Sequence, residues 1–233
     1  MDKNFKVNEA PAKQPVVFDH LFAEKVGGGL VKNASYDRHP GLAVSVDGVC
    51  LKAAVLVEDA DYDATSIKVK KGSGLVVGDC IATGSVAVAI SAVDSSHDDY
   101  DILTIAAFGV DLDEGDIVFQ ATAATRAAGY DDCESADDGA LKVVSDSATT
   151  GQINLAEATP YYGSKTLAAN DYVKAVPKVD MTPKVAPAFV LGTFLPADCG
   201  DEVAKLVNGA NIRKENALFP AQIADMMKGI HLI

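Results

Sequence analysis

The chain has 233 residues, of which 48% are apolar and 6% aromatic, and a formal charge of −13 from 33 acidic and 20 basic side chains. That is enough apolar material for one large domain or two small ones, while the charge opposes a polyanion such as DNA. No basic stripe interleaved with aromatics offsets it, so direct nucleic-acid binding is not expected; nor is membrane insertion, because no apolar run reaches about 18 residues.

Residues 1–63 read as an N-terminal unit. Residues 1 to 17 are polar with two prolines, an extended arm. The start, MDKNFKVNEAPAKQPVVFDH, has no apolar stretch of the secretory kind, so no leader is expected. Phe18, Leu21, Phe22 and Val26 recur at i, i+3, i+4 and i+8, which predicts a short amphipathic helix ended by Gly27-Gly28-Gly29. GLAVSV and LKAAVLV, between Gly41 and Val57, predict two strands around the turn Asp47-Gly48.

Residues 64–125 carry the clearest β pattern. Ser66–Lys70, Cys80–Ala82, Ser85–Val93, Asp101–Ala107 and Asp116–Thr122 are strand-like and separated by turn-rich pieces, which predicts a small antiparallel barrel or sandwich. Within this unit, VKKGSGLVVGDCI at 69–81 places Gly72, Gly74 and Gly78 beside two lysines. A phosphate cradle needs glycines that close a strand and open a helix. Here valine pairs and a Gly-Asp dipeptide follow instead, so these glycines are read as turns. The segment Gly78-Asp79 has an echo in Gly115-Asp116, each preceded by a short mixed stretch and followed by an apolar run. Glycine supplies positive φ and the aspartate bonds local backbone, so two similar strand–turn–strand corners are expected.

Residues 126–182 form a turn-rich excursion in which only short pieces such as Leu141–Val144 look extended. Residues 183–233 regain order: a strand over Ala186–Leu195, a short helix over Asp201–Val207 closed by Asn208-Gly209, and a last helix over Pro220–Lys228. Ile223, Met226, Met227 and Ile230 make the apolar stripe of that helix. This unit is expected to pack with the N-terminal segment. The fold class is therefore mainly β, a small antiparallel barrel or sandwich with short N- and C-terminal helices.

Reactive constellations are missing from the pattern. His20, His39, His97 and His231 form no metal-binding pair, and no G-x-S-x-G elbow is present. Asp111, Asp113 and Asp116 could touch a hard cation, but the rest of a calcium loop is absent, and a solvated turn is the expected state. Cys50, Cys80, Cys133 and Cys199 are widely spaced and read as thiols. Neither enzyme activity nor a cofactor is expected.

SIKVKKGSGLVVGDCIA, ISAVDSSHDDYDILTI and GVDLDEGDIVFQA follow one another, flanked by PVVFDHLF and GLVKNASYD at the start and LVNGANIRKENALFPAQIADMMKGIHLI at the finish. This order resembles head fibre proteins of tailed bacteriophages and prophages over most of the chain, thinning out over 126–182. The resemblance implies a non-enzymatic virion structural protein, made in the host cytoplasm and carried on the capsid exterior. It also implies a capsid protein as partner and a homo-oligomer, with a trimer favoured; the stripe Ile223, Met226, Met227 and Ile230 is then an interface. It transfers no catalytic residues. The alternative is a β-rich module for carbohydrate or another host-surface ligand, with loops 94–100 and 126–140 as the contact surface.

Overall fold

The computed structural model describes residues 18–133, 140–143, 152–153, 160–164 and 166–233. The chain is mainly β. In order, the strands are β1 (Phe18–Glu24), β2 (Gly29–Val31), β3 (Ala43–Ser45), β4 (Ala53–Val55), β5 (Ser66–Lys70), β6 (Cys80–Thr83), β7 (Val86–Asp94), β8 (Tyr100–Ile105) and β9 (Ile117–Ala121). They continue with β10 (Gly129–Cys133), β11 (Leu141–Val143), β12 (Gln152–Ile153), β13 (Tyr172–Val176), β14 (Pro187–Leu191), β15 (Glu202–Ala204), β16 (Leu206–Ile212) and β17 (Ile230–Leu232). A 3₁₀ turn at Lys214–Asn216 and one helix, α1 (Ala221–Ala224), lie between the last two strands. No helix among the described residues is long and apolar enough to cross a membrane.

Six strands form one sheet in the order β4-β9-β6-β7-β8-β5, each pair antiparallel. A bridge between Leu56 and Val69, with a bond from Val57 N to Lys68 O at 3.1 Å, brings the last strand back to the first. The sheet thus curls into a barrel around Leu56, Ile67, Val69, Ile81, Val88, Ile90, Leu103, Ile105 and Val118. The five strands read from the sequence at 66–122 are β5 to β9, with ends within two residues.

The two chain ends build a second layer, here called the platform. Its sheet runs β1-β16-β14-β3, with β17 parallel to β16, and β2 pairs with β15 in a separate ribbon. The platform packs on the outside of the barrel wall formed by β4, β9, β6 and β7. Alternate residues of these strands feed the two cores: Ala54, Ile81, Val88 and Val118 face inward, while Ala53, Ala82, Ala87 and Phe119 join the platform core. Strand residues alternate faces, so a wall buried on both sides must be apolar throughout. Alanine at Ala53, Ala82 and Ala87 on the outer side lets the layers approach closely. A third sheet, β10-β13-β11-β12, comes from the turn-rich region.

Three helix expectations are corrected. Residues 18–24 are the edge strand β1, not a helix. Its pairing with β16 shifts register between Phe18 and His20, Leu21 and Ala23, and Ala23 and Glu24. Such bulges break the two-residue alternation, so the apolar spacing mimicked a helical one. Residues 201–207 are β15 and the start of β16. There burial alternates from Val203 to Leu206, exposed and buried in turn, and partner strands decide in favour of the sheet. Gly209, read as a helix stop, lies inside β16, where a Cβ would come within 3.2 Å of the Ala23 Cβ. The last helix exists but is only Ala221–Ala224, with Pro220 at its N-cap; Gly229, at φ +90°, turns the chain into β17.

Candidate functional site

A cleft of about 280 Å³ opens where platform and barrel meet. Four separate segments line it: Tyr36 to Leu42, the strand β4, the turn Lys70 to Ser73 after β5, and Glu215 to Leu218. Each is anchored from behind. Arg38 and Leu195 exchange backbone bonds at 2.8 and 2.9 Å, and Leu218 N donates to Gly41 O at 3.1 Å. The Arg38 side chain is fully buried, donating to Lys32 O, to Pro196 O at 2.8 Å and to Cys199 Sγ at 2.9 Å. Gly74, at φ +72°, lies flat against the Tyr36 ring, where an added Cβ would sit 2.3 Å from Cγ.

Pro40, Leu42, Ala53, Ala54, Val55 and Leu218 give the cleft an apolar floor, and Asp37, His39, Lys70, Lys71, Ser73 and Glu215 a polar rim. Asp37 accepts from Ala197 N at 2.8 Å. Lys71 Nζ donates to Ser95 O at 2.9 Å and to His97 O, so the loop at 94–100 is tied to the rim. The Lys70 and Glu215 side chains have no hydrogen-bond or ion-pair partner among the described residues. The His39 ring packs against Phe194, with centroids 5.2 Å apart. Desolvation holds its pKa below the ordinary 6.5; Asp37 opposes this and Lys70 adds to it. Burial pushes the Tyr36 phenol up, aided by Cys50.

On the other side of Tyr36 a second cavity, of about 380 Å³, is lined by Lys32, Asn33, Arg38, Cys50, Lys52 and Gln120 among others. Burial raises the Cys50 thiol to about 11, partly countered by Arg38. Lys52 donates to Asp79 Oδ2 and Gln120 Nε2 to Asp79 Oδ1, each at 2.8 Å.

The residues singled out from the sequence have distinct fates. Gly72, Gly78 and Gly115 lie in turns with positive φ, while Gly74 has positive φ but lies in the extended stretch between two turns. Gly72 and the two lysines before it border the cleft, with no helix after them to present free amides. Asp79 and Asp116 each accept from the amide three residues earlier, Val76 N at 3.2 Å and Asp113 N at 3.0 Å, so the sequence echo is a geometric repeat. A third copy has no glycine to mark it in the sequence: Ala168 N donates to Asp171 Oδ2 at 2.8 Å, with Asn170 at φ +77° in the place of glycine.

The carboxylates of Asp111 and Asp116 accept from the backbone amides of Tyr62 and Asp113. Among the described residues no group of three or more His, Cys, Asp or Glu side chains is placed to hold a metal ion. Ile223, Met227 and Ile230 are buried in the chain's own core, whereas Met226 is 49% exposed. The cleft itself could not be read from the sequence, because its four walls are distant in the chain and carry no shared motif.

No protein-family model, curated protein or solved structure matches the chain.

Proposed function

We propose that the chain is a non-enzymatic structural protein of a bacteriophage particle, carried on the outside of the head. The ordered segment resemblance motivates the reading. The observation that carries it is an apolar patch on the platform, away from the barrel interior. Leu30 and Val203 are register partners in the β2–β15 ribbon and both are exposed, Val203 at 67%. The turn holding Val46, 74% exposed, packs against Leu30 through Gly48, and Val26 nearby is 97% exposed. Apolar groups clustered in water mark contact surfaces. In this reading the platform faces the capsid protein or neighbouring copies, and the barrel projects outward. A homo-oligomer, with a trimer favoured, belongs to the same proposal.

Co-sedimentation of purified protein with empty heads tests it. The chain should pellet with heads, and Val203→Asp should abolish pelleting while leaving the circular dichroism spectrum unchanged. Equal pelleting of the variant, or none by either protein, would count against it. Light scattering should give a multiple of 24.2 kDa.

A second reading is favoured by the cleft: the protein also holds a carbohydrate or similar host-surface ligand. An apolar floor with a few convergent polar groups is how small-molecule sites are built. The loop at 94–100 borders it through Lys71, and Tyr100 stacks under His97 with centroids 4.4 Å apart.

A further inference from the structure

We propose that the cleft between platform and barrel takes an acidic sugar unit, a ring carrying one carboxylate held between Lys70 and His39. The inference rests on the second reading above and specifies the charge and position of its ligand.

Three observations converge. The first is an unpaired cation in an acidic chain. Lys32, Lys52, Lys68, Lys178, Lys205 and Arg213 each have a carboxylate partner. Lys70, like several other lysines, has none among the described residues, but of these only Lys70 and Lys71 line the cleft.

The second is that Lys70 and His39 border the same space, with the lysine charge acting on the imidazole. The charges nearest His39 are those of Asp37 and Lys70, and the lysine disfavours protonation of the imidazole. Lys71 and Glu215 are the other charged groups on the rim. Lys71 is engaged with the carbonyls of Ser95 and His97, and Asp37 with the amide of Ala197. A carboxylate between Lys70 and His39 would accept from both and favour imidazolium.

The third is the floor. Pro40, Leu42, the β4 alanines and Leu218 line it, so it presents apolar atoms to the C–H face of a sugar ring. Ser73 Oγ accepts from Leu75 N at 3.3 Å and keeps its own proton to donate, and the Glu215 carboxylate has open acceptors for hydroxyls. A bare phosphate would leave the floor unused. A neutral sugar would leave the Lys70 charge uncompensated.

The test is a histidine-resolved NMR titration of the full chain against galacturonate, galactose, benzoate and phosphate at equal millimolar concentrations. Galacturonate is expected to shift the His39 resonances and raise the apparent pKa of His39, leaving His20 and His231 unmoved. Lys70→Glu should weaken this response at least tenfold while the rest of the spectrum stays in place. If galactose acts as strongly as galacturonate, the required charge is wrong and the carbohydrate reading stands. Equal responses to benzoate or phosphate would overturn the sugar assignment. Shifts confined to residues outside the cleft, or retained in Lys70→Glu, would overturn the site. Silence from every sugar would remove the proposal and the reading beneath it together.

Discussion

Asp79 accepts at both carboxylate oxygens, Oδ2 from Lys52 Nζ and Oδ1 from Gln120 Nε2, each at 2.8 Å. One turn residue thereby ties β6 to β9 and to the segment that enters β4. Burial works against its charge, but the bonds from Lys52, Val76 and Gln120 leave its pKa below the ordinary carboxylate value. Asp116 holds the equivalent place in the second turn, yet among the described residues its side chain accepts only from the nearby amide of Asp113. Asp79→Ala should therefore cost about 2 kcal/mol, allowing for partial exposure, and Asp116→Ala about 0.5 kcal/mol. Urea unfolding of the two variants checks the order. The Asp79 contribution is present above the unfolded carboxylate pKa and is lost as pH falls through the lower folded value.

Three positive-φ positions, Gly78, Gly74 and Asn170, make a graded prediction. Gly78 has nothing within 4 Å of an added Cβ, so Gly78→Ala meets only the left-handed backbone, at about 1 kcal/mol. Gly74→Ala adds a collision with the Tyr36 ring and should cost about 3 kcal/mol. Asn170→Gly keeps the positive φ and should change stability by less than about 0.5 kcal/mol. Thermal melts of the three variants give the ranking; a Gly74→Ala protein as stable as Gly78→Ala would contradict the packing against Tyr36.

The barrel was legible because β5 to β9 keep short alternation between Gly, Asp and Ser turns. The third turn was not, because asparagine replaces glycine at the positive-φ position. β1 was misread as a helix since its bulges spoil the alternation and its apolar side chains are largely exposed, so spacing did not report burial. Lys70 and Lys71 drew notice for a phosphate loop. What they border depends on residues 36–42 and 215–218 arriving from elsewhere, which no local pattern encodes.

His39 should give stability a pH slope. Its folded pKa lies below 6.5, with desolvation the main cause. The unfolded chain then binds more protons between the two values, so stability rises with pH up to the unfolded value and levels off above it. His39→Gln should flatten that rise, read as urea midpoints between about pH 5 and 7.

The terminal stripe divides into core and surface. Ile223 is fully buried, so Ile223→Ala should cost about 3 kcal/mol. Met226→Ala should fall within about 0.5 kcal/mol, the usual range for surface changes. If the stripe contributes to assembly, it does so through Met226. Met226→Asp should then lower the mass seen by light scattering without lowering the melting temperature.

Immunogold electron microscopy of particles from an induced lysate, with antibody against the barrel, tests the proposed place on the outside of a phage head most directly. Gold over the head surface is the expected result; gold confined to tails, or particles without label, would contradict it.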